Sequence, residues 1–234
     1  MKKRLALVAL VVAVLLVLPV IAQAASLPAK YRGKRIVGVK TKKKVVAFDF
    51  DDGPMNAEKI IDIMEPSGGK PTFFWVGNRI TSWYAKYAIA HGAEIASHSW
   101  RHKSLPGMST ADKRAQITRT DDIIAKYTGK QPLWFRAPYN DTNSSLLNLL
   151  ASTNHLYAHQ YIMTKDYDTK NVSAAKLIKI FDKPQPGAIY LFHEGTPNTI
   201  KALPTIMRNL RRKGYKVVTN TELLKYGTPV TKLP

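Results

Sequence analysis

The sequence predicts an α/β protein: a (β/α) barrel of about seven parallel strands. Three observations carry that expectation. Strand-like and helix-like segments alternate about seven times along the chain, the pattern of a parallel sheet with helical crossovers. The first strong strand, Val45-Val46-Ala47-Phe48, runs into the acidic cluster Asp49-Phe50-Asp51-Asp52 and stops at Gly53-Pro54, where a nucleotide-binding sheet would carry a Gly-rich phosphate loop. Chemically active residues also recur just after strand segments, and in α/β barrels chemistry collects at the C-terminal ends of strands. That rule makes Asp51, His98, Arg136 and His193 neighbours in space although they are far apart in sequence. Alternation alone also fits an open sheet; the barrel is the better fit.

A chain of 234 residues with 45% hydrophobic content supports one substantial core and excludes a disordered or fibrous class. Residues 1–25 read as an export signal: Lys2-Lys3-Arg4, an apolar run from Leu5 to Ile21, then the small-residue pattern Ala22-Gln23-Ala24. The run is close to the minimum for crossing a bilayer, so an uncleaved anchor is the alternative. Either way the expected location is outside the membrane, secreted or wall-associated. With no cysteine anywhere, a lipidated cysteine is excluded, disulfides are excluded, and metal ligation falls to His and carboxylates. The net charge of +20, or +17 without Lys2, Lys3 and Arg4, favours polyanionic surroundings. Anionic cell-wall polymers are weighted above nucleic acid, because export separates the chain from nucleic acid and the basic residues are scattered along the sequence. A generally basic surface without a dedicated partner is an equal reading.

Residues 26–44 read as a basic linker, and the domain is expected over 45–234. After the first strand, 56–65 has Ile60, Ile61 and Met64 at helical spacing with Asn56 placed as N-cap. Residues 72–76 form a strand, 83–91 a short helix, and 94–97 a strand that delivers His98. Ser109 opens a helix through 127, with Asp112 in the third position of a capping box and Gly129 closing it. Residues 133–136 are a strand, 144–152 a helix, 155–161 a weaker strand and 173–182 a helix. Residues 188–192 are a clear apolar strand, 199–213 an amphipathic helix and 215–218 a last strand.

Three acids within four positions resist burial unless they have a cation or a proton to handle, although an exposed acidic turn would look the same. His98-Ser99-Trp100-Arg101-His102 places two imidazoles four apart, on one helical face or converging from a tight loop. With one carboxylate such a pair makes the open three-ligand site of a hydrolytic zinc centre. Among the other candidates, His91 and His155 are expected as surface or capping residues, Glu194 in a solvated loop, and Trp75, Trp83 and Trp134 in the core or in helix packing. Trp100 is divided between packing and sugar stacking, and His159 is a candidate for the substrate groove.

In this order the motifs resemble the NodB-like polysaccharide deacetylases of carbohydrate esterase family 4. Asp49 to Pro54 is similar to their Thr-Phe-Asp-Asp-Gly-Pro motif, His98 to His102 to His-Ser/Thr-x-x-His, and Arg136-Ala137-Pro138-Tyr139 to Arg-x-Pro-Tyr/Phe. Asp166-Tyr167 approximates an Asp-Trp motif, and Leu191-Phe192-His193 matches Leu-x-His. The likeness covers roughly residues 45–226 and implies a deformed (β/α) barrel.

The resemblance further implies a metal-dependent hydrolase that removes N-acetyl groups from amino sugars of a polysaccharide. Peptidoglycan comes first on the strength of export and charge, with chitooligosaccharide and xylan as alternatives. It implies that Asp52, His98 and His102 hold a divalent metal, most often zinc, that Asp51 is the general base, and that Arg136 orients it. It makes His193 the general acid, held by Asp166. The Tyr139 N–H would help stabilise the oxyanion, and Leu191 and Tyr167 would line a slot for the acetyl methyl. Three positions depart from the family pattern. Asp49 replaces Thr and is expected by strand alternation to point away from Asp51, in a structural role. Asn140 stands where Gly is common, and Tyr167 adds a hydroxyl where the family has Trp.

Overall fold

The computed structural model describes residues 29–232, so the predicted export segment lies outside the described residues. In chain order the strands and helices are β1 (Arg35–Ile36), β2 (Gly38–Lys40), β3 (Val45–Gly53), α1 (Ala57–Met64), β4 (Thr72–Trp75) and α2 (Ser82–Ala90). They continue with β5 (Glu94–Ser97), α3 (Thr110–Thr128), β6 (Trp134–Phe135), α4 (Ser144–Ser152), β7 (Leu156–Ala158) and β8 (Ile162–Met163). The last are α5 (Ala174–Ile180), β9 (Ile189–His193), α6 (Pro197–Arg212), β10 (Lys216–Val218), α7 (Asn220–Leu223) and β11 (Thr228–Val230).

Nine strands form one curled parallel sheet in the order β1-β7-β6-β5-β4-β3-β9-β8, with β10 also paired to β3. The expected deformed (β/α) barrel is therefore the observed architecture, with two short edge strands, β1 and β8, beyond the predicted count. The nine-residue β3 is its spine. Its first half pairs with β10 (Ala47 with Val218), its second half with β4 (Asp49 with Thr72), and its opposite edge with β9 (Asp51 with His193).

Side chains alternate along β3, and both faces are covered, so the strand reads as an almost unbroken apolar run. Val46, Phe48 and Phe50 enter the large cluster formed with α1, α6 and β9. Within it Phe50 stacks on Phe192 at 5.4 Å and Phe73 on Trp75 at the same centroid distance. Val45 and Ala47 face the other way, with Val39, Ile189 and Val218. Asn56 stands at the start of α1 as its sequence indicates, but its side chain gives its amide to the Glu194 carbonyl instead of capping the helix. Ser109 Oγ accepts from the Asp112 N–H at 3.1 Å and donates to the Asp112 carboxylate at 2.7 Å, so the pair caps α3 through the hydroxyl. On α6, Leu203, Ile206, Met207 and Leu210 form the buried stripe.

The expected basic tether differs from what the fold contains. Arg35 pairs with Tyr157 and Ile36 with Ala158, while β2 pairs antiparallel with β11. Ile36 and Val39 are fully buried. Strands of two and three residues, flanked by lysines, are too short for alternation to reveal.

The N-terminal end of the sheet is sealed by close backbone approach at Gly187. Its φ is +77°, and an added Cβ would lie 2.1 Å from the Val39 carbonyl oxygen. Gly187→Ala is expected to destabilise the fold by about 2 kcal/mol or more, from left-handed strain and steric overlap together. The check is a lowered denaturant midpoint at unchanged slope.

Candidate active site

Adjacent residues on a regular strand point to opposite faces, so Asp51 and Asp52 cannot both serve one site unless the strand is interrupted. It is interrupted between Asp51 and Gly53, where the register with β4 shifts and Asp52 takes φ +75°. The bulge turns Asp52 onto the side of Asp51, and both line one cleft of about 410 Å³ at the C-terminal end of the sheet. Arg79 Nη1 donates to the Asp52 carbonyl at 2.7 Å and fixes the distorted peptide.

At the end of β5 the chain enters a tight loop, with Ser99 at φ +66° and His102 at φ +52°. The two imidazoles thus converge from a loop, the second of the two geometries that their spacing allowed. His102 Nε2 lies 2.9 Å and His98 Nε2 3.3 Å from Asp52 Oδ1, and the three groups present donor atoms within 4.8 Å of one another. His98 Nδ1 lies 2.8 Å from the Arg136 carbonyl oxygen. A carbonyl only accepts, so Nδ1 carries the proton and Nε2 keeps its lone pair for a ligand. Burial pushes the Asp52 carboxyl upward, but the neighbouring imidazoles of His102 and His98 prevail and hold it well below the usual range. One carboxylate and two imidazoles suit a divalent ion such as zinc, with coordination positions left over.

Behind the cleft Arg136 is fully buried. Its Nη1 donates to Asp51 Oδ1 at 2.8 Å, its Nη2 to Asp49 Oδ2 at 2.6 Å and its Nε to the Ala158 carbonyl at 3.1 Å, while the guanidinium lies 4.3 Å over the Phe74 ring. This corrects the expectation for Asp49. Residues two apart on a strand share a face, so Asp49 points to the same side as Asp51 and reaches the same arginine. Burial, opposed by Arg136 and Asn220, pushes the Asp49 carboxyl up to about 7.

Opposite the histidine pair, His193 at the end of β9 places Nδ1 2.7 Å from Asp166 Oδ1, and its backbone N–H donates to Asp166 Oδ2 at 2.8 Å. The hydroxyls of Thr196 and Thr199 donate to that same oxygen. Burial works against charge on both partners and is overcome on both. Asp166 is lowered by its bonds to His193 and Thr199, and His193 is raised by Asp166 and by the charge of Asp51.

The remaining walls are Tyr139, Asn140, Met163, Tyr167 and Leu191. Tyr139 and Asn140 both have left-handed backbone, at φ +61° and +54°, so the Asn at the usual Gly position adopts a conformation it tolerates. Tyr139 is 71% and Tyr167 53% exposed, and their rings stand 4.8 Å from His102 and 5.3 Å from His193. The extra hydroxyl of Tyr167 points to Met163 Sδ at 3.7 Å. All ten residues singled out from the sequence gather here: eight on the cleft wall, and Arg136 and Asp166 directly behind it.

Sequence reasoning missed Met163, Thr196, Thr199 and the burial of Glu194. Glu194 is fully buried rather than in a solvated loop, accepting from the Met55 and Asn56 N–H groups and from Trp75 Nε1. The only signal was its place directly after His193. His155 is buried against Asp121 rather than at the surface and closes the end of α4, its backbone N–H donating to the Leu150 carbonyl at 2.9 Å, while Trp83 is 58% exposed and stacks on Tyr87 of its own helix. Trp100 packs under Arg119, and neither it nor His159 lines the cleft.

The family model described as polysaccharide deacetylase matches residues 38–158. The chain belongs to the polysaccharide deacetylase family. A curated relative, the peptidoglycan-N-acetylmuramic acid deacetylase PdaC of Bacillus subtilis, is 30% identical over 77% of this chain and 39% of its own. The Bc1960 peptidoglycan N-acetylglucosamine deacetylase superposes with a TM-score of 0.76 at 26% identity, covering 87% of this chain and 97% of that one. BA3943 of Bacillus anthracis, a CE4 family pseudoenzyme, gives 0.72 at 27% identity, with coverage of 79% and 66%. The chain spans 31 to 42% of the length of the first curated relatives it matches.

In this family member the His193–Asp166 pair makes a directional expectation. Asp166→Asn removes the group that raises His193, so the imidazole should titrate at lower pH than in the native chain. NMR titration of the His193 ring reads this directly; an unmoved midpoint would show that Asp166 does not set the protonation of His193.

Proposed function

We propose that the chain is a metal-dependent hydrolase that removes N-acetyl groups from amino sugars of a cell-wall polysaccharide, peptidoglycan before chitooligosaccharide or xylan. The observation that carries this reading is the convergence of the Asp52–His98–His102 donor set with Asp51 and with His193 in one cleft. The same chemistry in relatives named as peptidoglycan deacetylases, together with the basic charge and the export-like N-terminus, supports the wall as substrate and an extracytoplasmic location.

Asp52, His98 and His102 would hold a divalent ion, which would supply Lewis acidity toward water and the acetamide carbonyl. Asp51 then acts as base through Oδ2, the oxygen that Arg136 Nη1 does not hold. Arg136 keeps the carboxylate aimed. The Tyr139 N–H donates to the oxygen that gains negative charge as the carbonyl carbon becomes tetrahedral. His193 gives the departing amine the proton on Nε2, while Asp166 holds the opposite nitrogen. Leu191, Met163 and Tyr167 provide the apolar wall against which the acetyl methyl rests, and exposed Tyr139 and Tyr167 flank the cleft mouth where sugar rings would lie.

Acetate release from N-acetylated peptidoglycan, tested beside chitooligosaccharide and acetylated xylan, is the deciding assay. Activity should vanish with a chelator and return with added zinc, and Asp51→Asn should lower kcat by about 10²- to 10⁴-fold. Turnover indifferent to both would sink the mechanism. Because one structural neighbour is a pseudoenzyme, an inactive wall-binding role is the second reading. It predicts polymer binding without acetate release. Loss of a ligand separates metal binding from turnover: His102→Ala should weaken zinc affinity by more than about 100-fold in direct titration, with the folded state retained in the far-UV spectrum.

A further inference from the structure

The strands of the main sheet are parallel, so their first residues share the end of the molecule opposite the cleft. Three elements bring cations together there. Lys42, Lys43 and Lys44 occupy the loop before β3, Arg211 and Arg212 end α6, and Lys216 opens β10; all six are exposed. The backbone joins these segments: Lys216 N–H donates to the Lys44 carbonyl at 3.0 Å, and Lys44 Nζ donates to the Lys213 carbonyl at 3.0 Å. Among the described residues none of the six forms an ion pair with a carboxylate. Asp182 approaches the cluster through its backbone carbonyl, which takes Lys213 Nζ at 2.7 Å. Arginines in the last turn of α6 also favour the helix dipole, which accounts for two of the six. It leaves a lysine triplet in a loop, beside like charges, in which Lys44 reaches only the Lys213 carbonyl and Lys43 lies 5.6 Å over the Tyr226 ring, with no carboxylate to neutralise them.

The chain also reaches the domain at this end. Gly33 N–H donates to the His155 carbonyl at 3.0 Å, immediately before β7 begins, and Lys30 and Lys34 are exposed there. The sequence preceding these residues contains the apolar run from Leu5 to Ile21, whose composition suits a lipid interior. We propose that this cationic end rests on an anionic phospholipid bilayer, its lysines and arginines meeting lipid phosphates, so that the cleft faces away from the membrane. A glycerol-phosphate polymer offers the same phosphate chemistry. The bilayer is favoured because the charges spread over three elements at the end where the chain arrives from its apolar run. Each basic residue near such a surface is worth about a five-fold gain in partitioning at physiological salt.

Since the protein has no cysteine, single cysteines can report orientation in the full chain. Lys43→Cys and Lys170→Cys, the latter exposed beside the cleft, would each carry a fluorophore on protein reconstituted with vesicles containing a headgroup quencher. The label at 43 should be quenched in phosphatidylglycerol vesicles, by at least about five-fold more than in phosphatidylcholine vesicles, and released by 0.5 M salt. The label at 170 should stay bright throughout. Combining Arg211→Glu, Arg212→Glu and Lys216→Glu should abolish the difference at 43, with the far-UV spectrum showing that the variant is folded. Equal quenching at both positions, or no dependence on lipid charge, overturns the proposal. So does release of the label at 43 by soluble glycerol-phosphate polymer at lower phosphate concentration than the vesicles present, which assigns the face to the polymer.

Discussion

The buried guanidinium of Arg136 is the constraint on which the interior of this sheet depends. Two carboxylates from one strand, Asp49 and Asp51, are buried on the same face, where a charge without a partner is costly. Arg136 reaches them with separate nitrogens while its third donor takes the Ala158 carbonyl and its face lies on Phe74. The result ties β3, β6 and β7 together through charge. Loss of one member of such a buried set costs about 3–5 kcal/mol, because the remaining charge is left without a partner. Stability and site geometry therefore share a residue: the interaction that lets the interior close also occupies Asp51 Oδ1 and leaves Oδ2 on the side of His98.

A second constraint separates neighbouring acids. Asp51 and Asp52 are adjacent, yet one is 4% exposed on an arginine and the other is shared between two histidines. The bulge at Asp52 makes this division, and Gly53 makes room for it. An added Cβ at Gly53 would collide with the Glu194 carboxylate, which binds the Met55 and Asn56 N–H groups. Glu194 follows His193 directly, so the segment that places His193 also clamps the loop that places Asp51 and Asp52. The cleft is thus held from beneath by Arg136 and from the side by Glu194, neither of them among the residues lining it.

Much of the site was legible because its chemistry sits at strand ends, where apolar runs stop abruptly at polar residues. Asp51, His98, Arg136 and His193 could be placed together from that regularity alone, and Asp166 came from the resemblance. What escaped were residues whose role is made by distant chain. Glu194 looks like an ordinary loop acid until residues 53–56 fold over it. Thr196 and Thr199 become partners of Asp166 only when α6 starts beside β8. Asp49 was misplaced for a different reason: period two had already put it on the face of Asp51.

The amino-acid order by itself determined the parallel α/β class and the strand that carries the acids, which follow from local periodicity and residue chemistry that short segments express without help. The metal-ligand, base and acid candidates came from the resemblance of its motifs to a known family. Tertiary structure decided the pairing of Arg136 with two carboxylates, the turn of Asp52 toward the histidines, and the gathering of scattered lysines and arginines at the end away from the cleft. Each of these depends on which residues come within a few ångströms across distant segments, and electrostatic partnership at that range is a property of the folded chain rather than of any stretch of it.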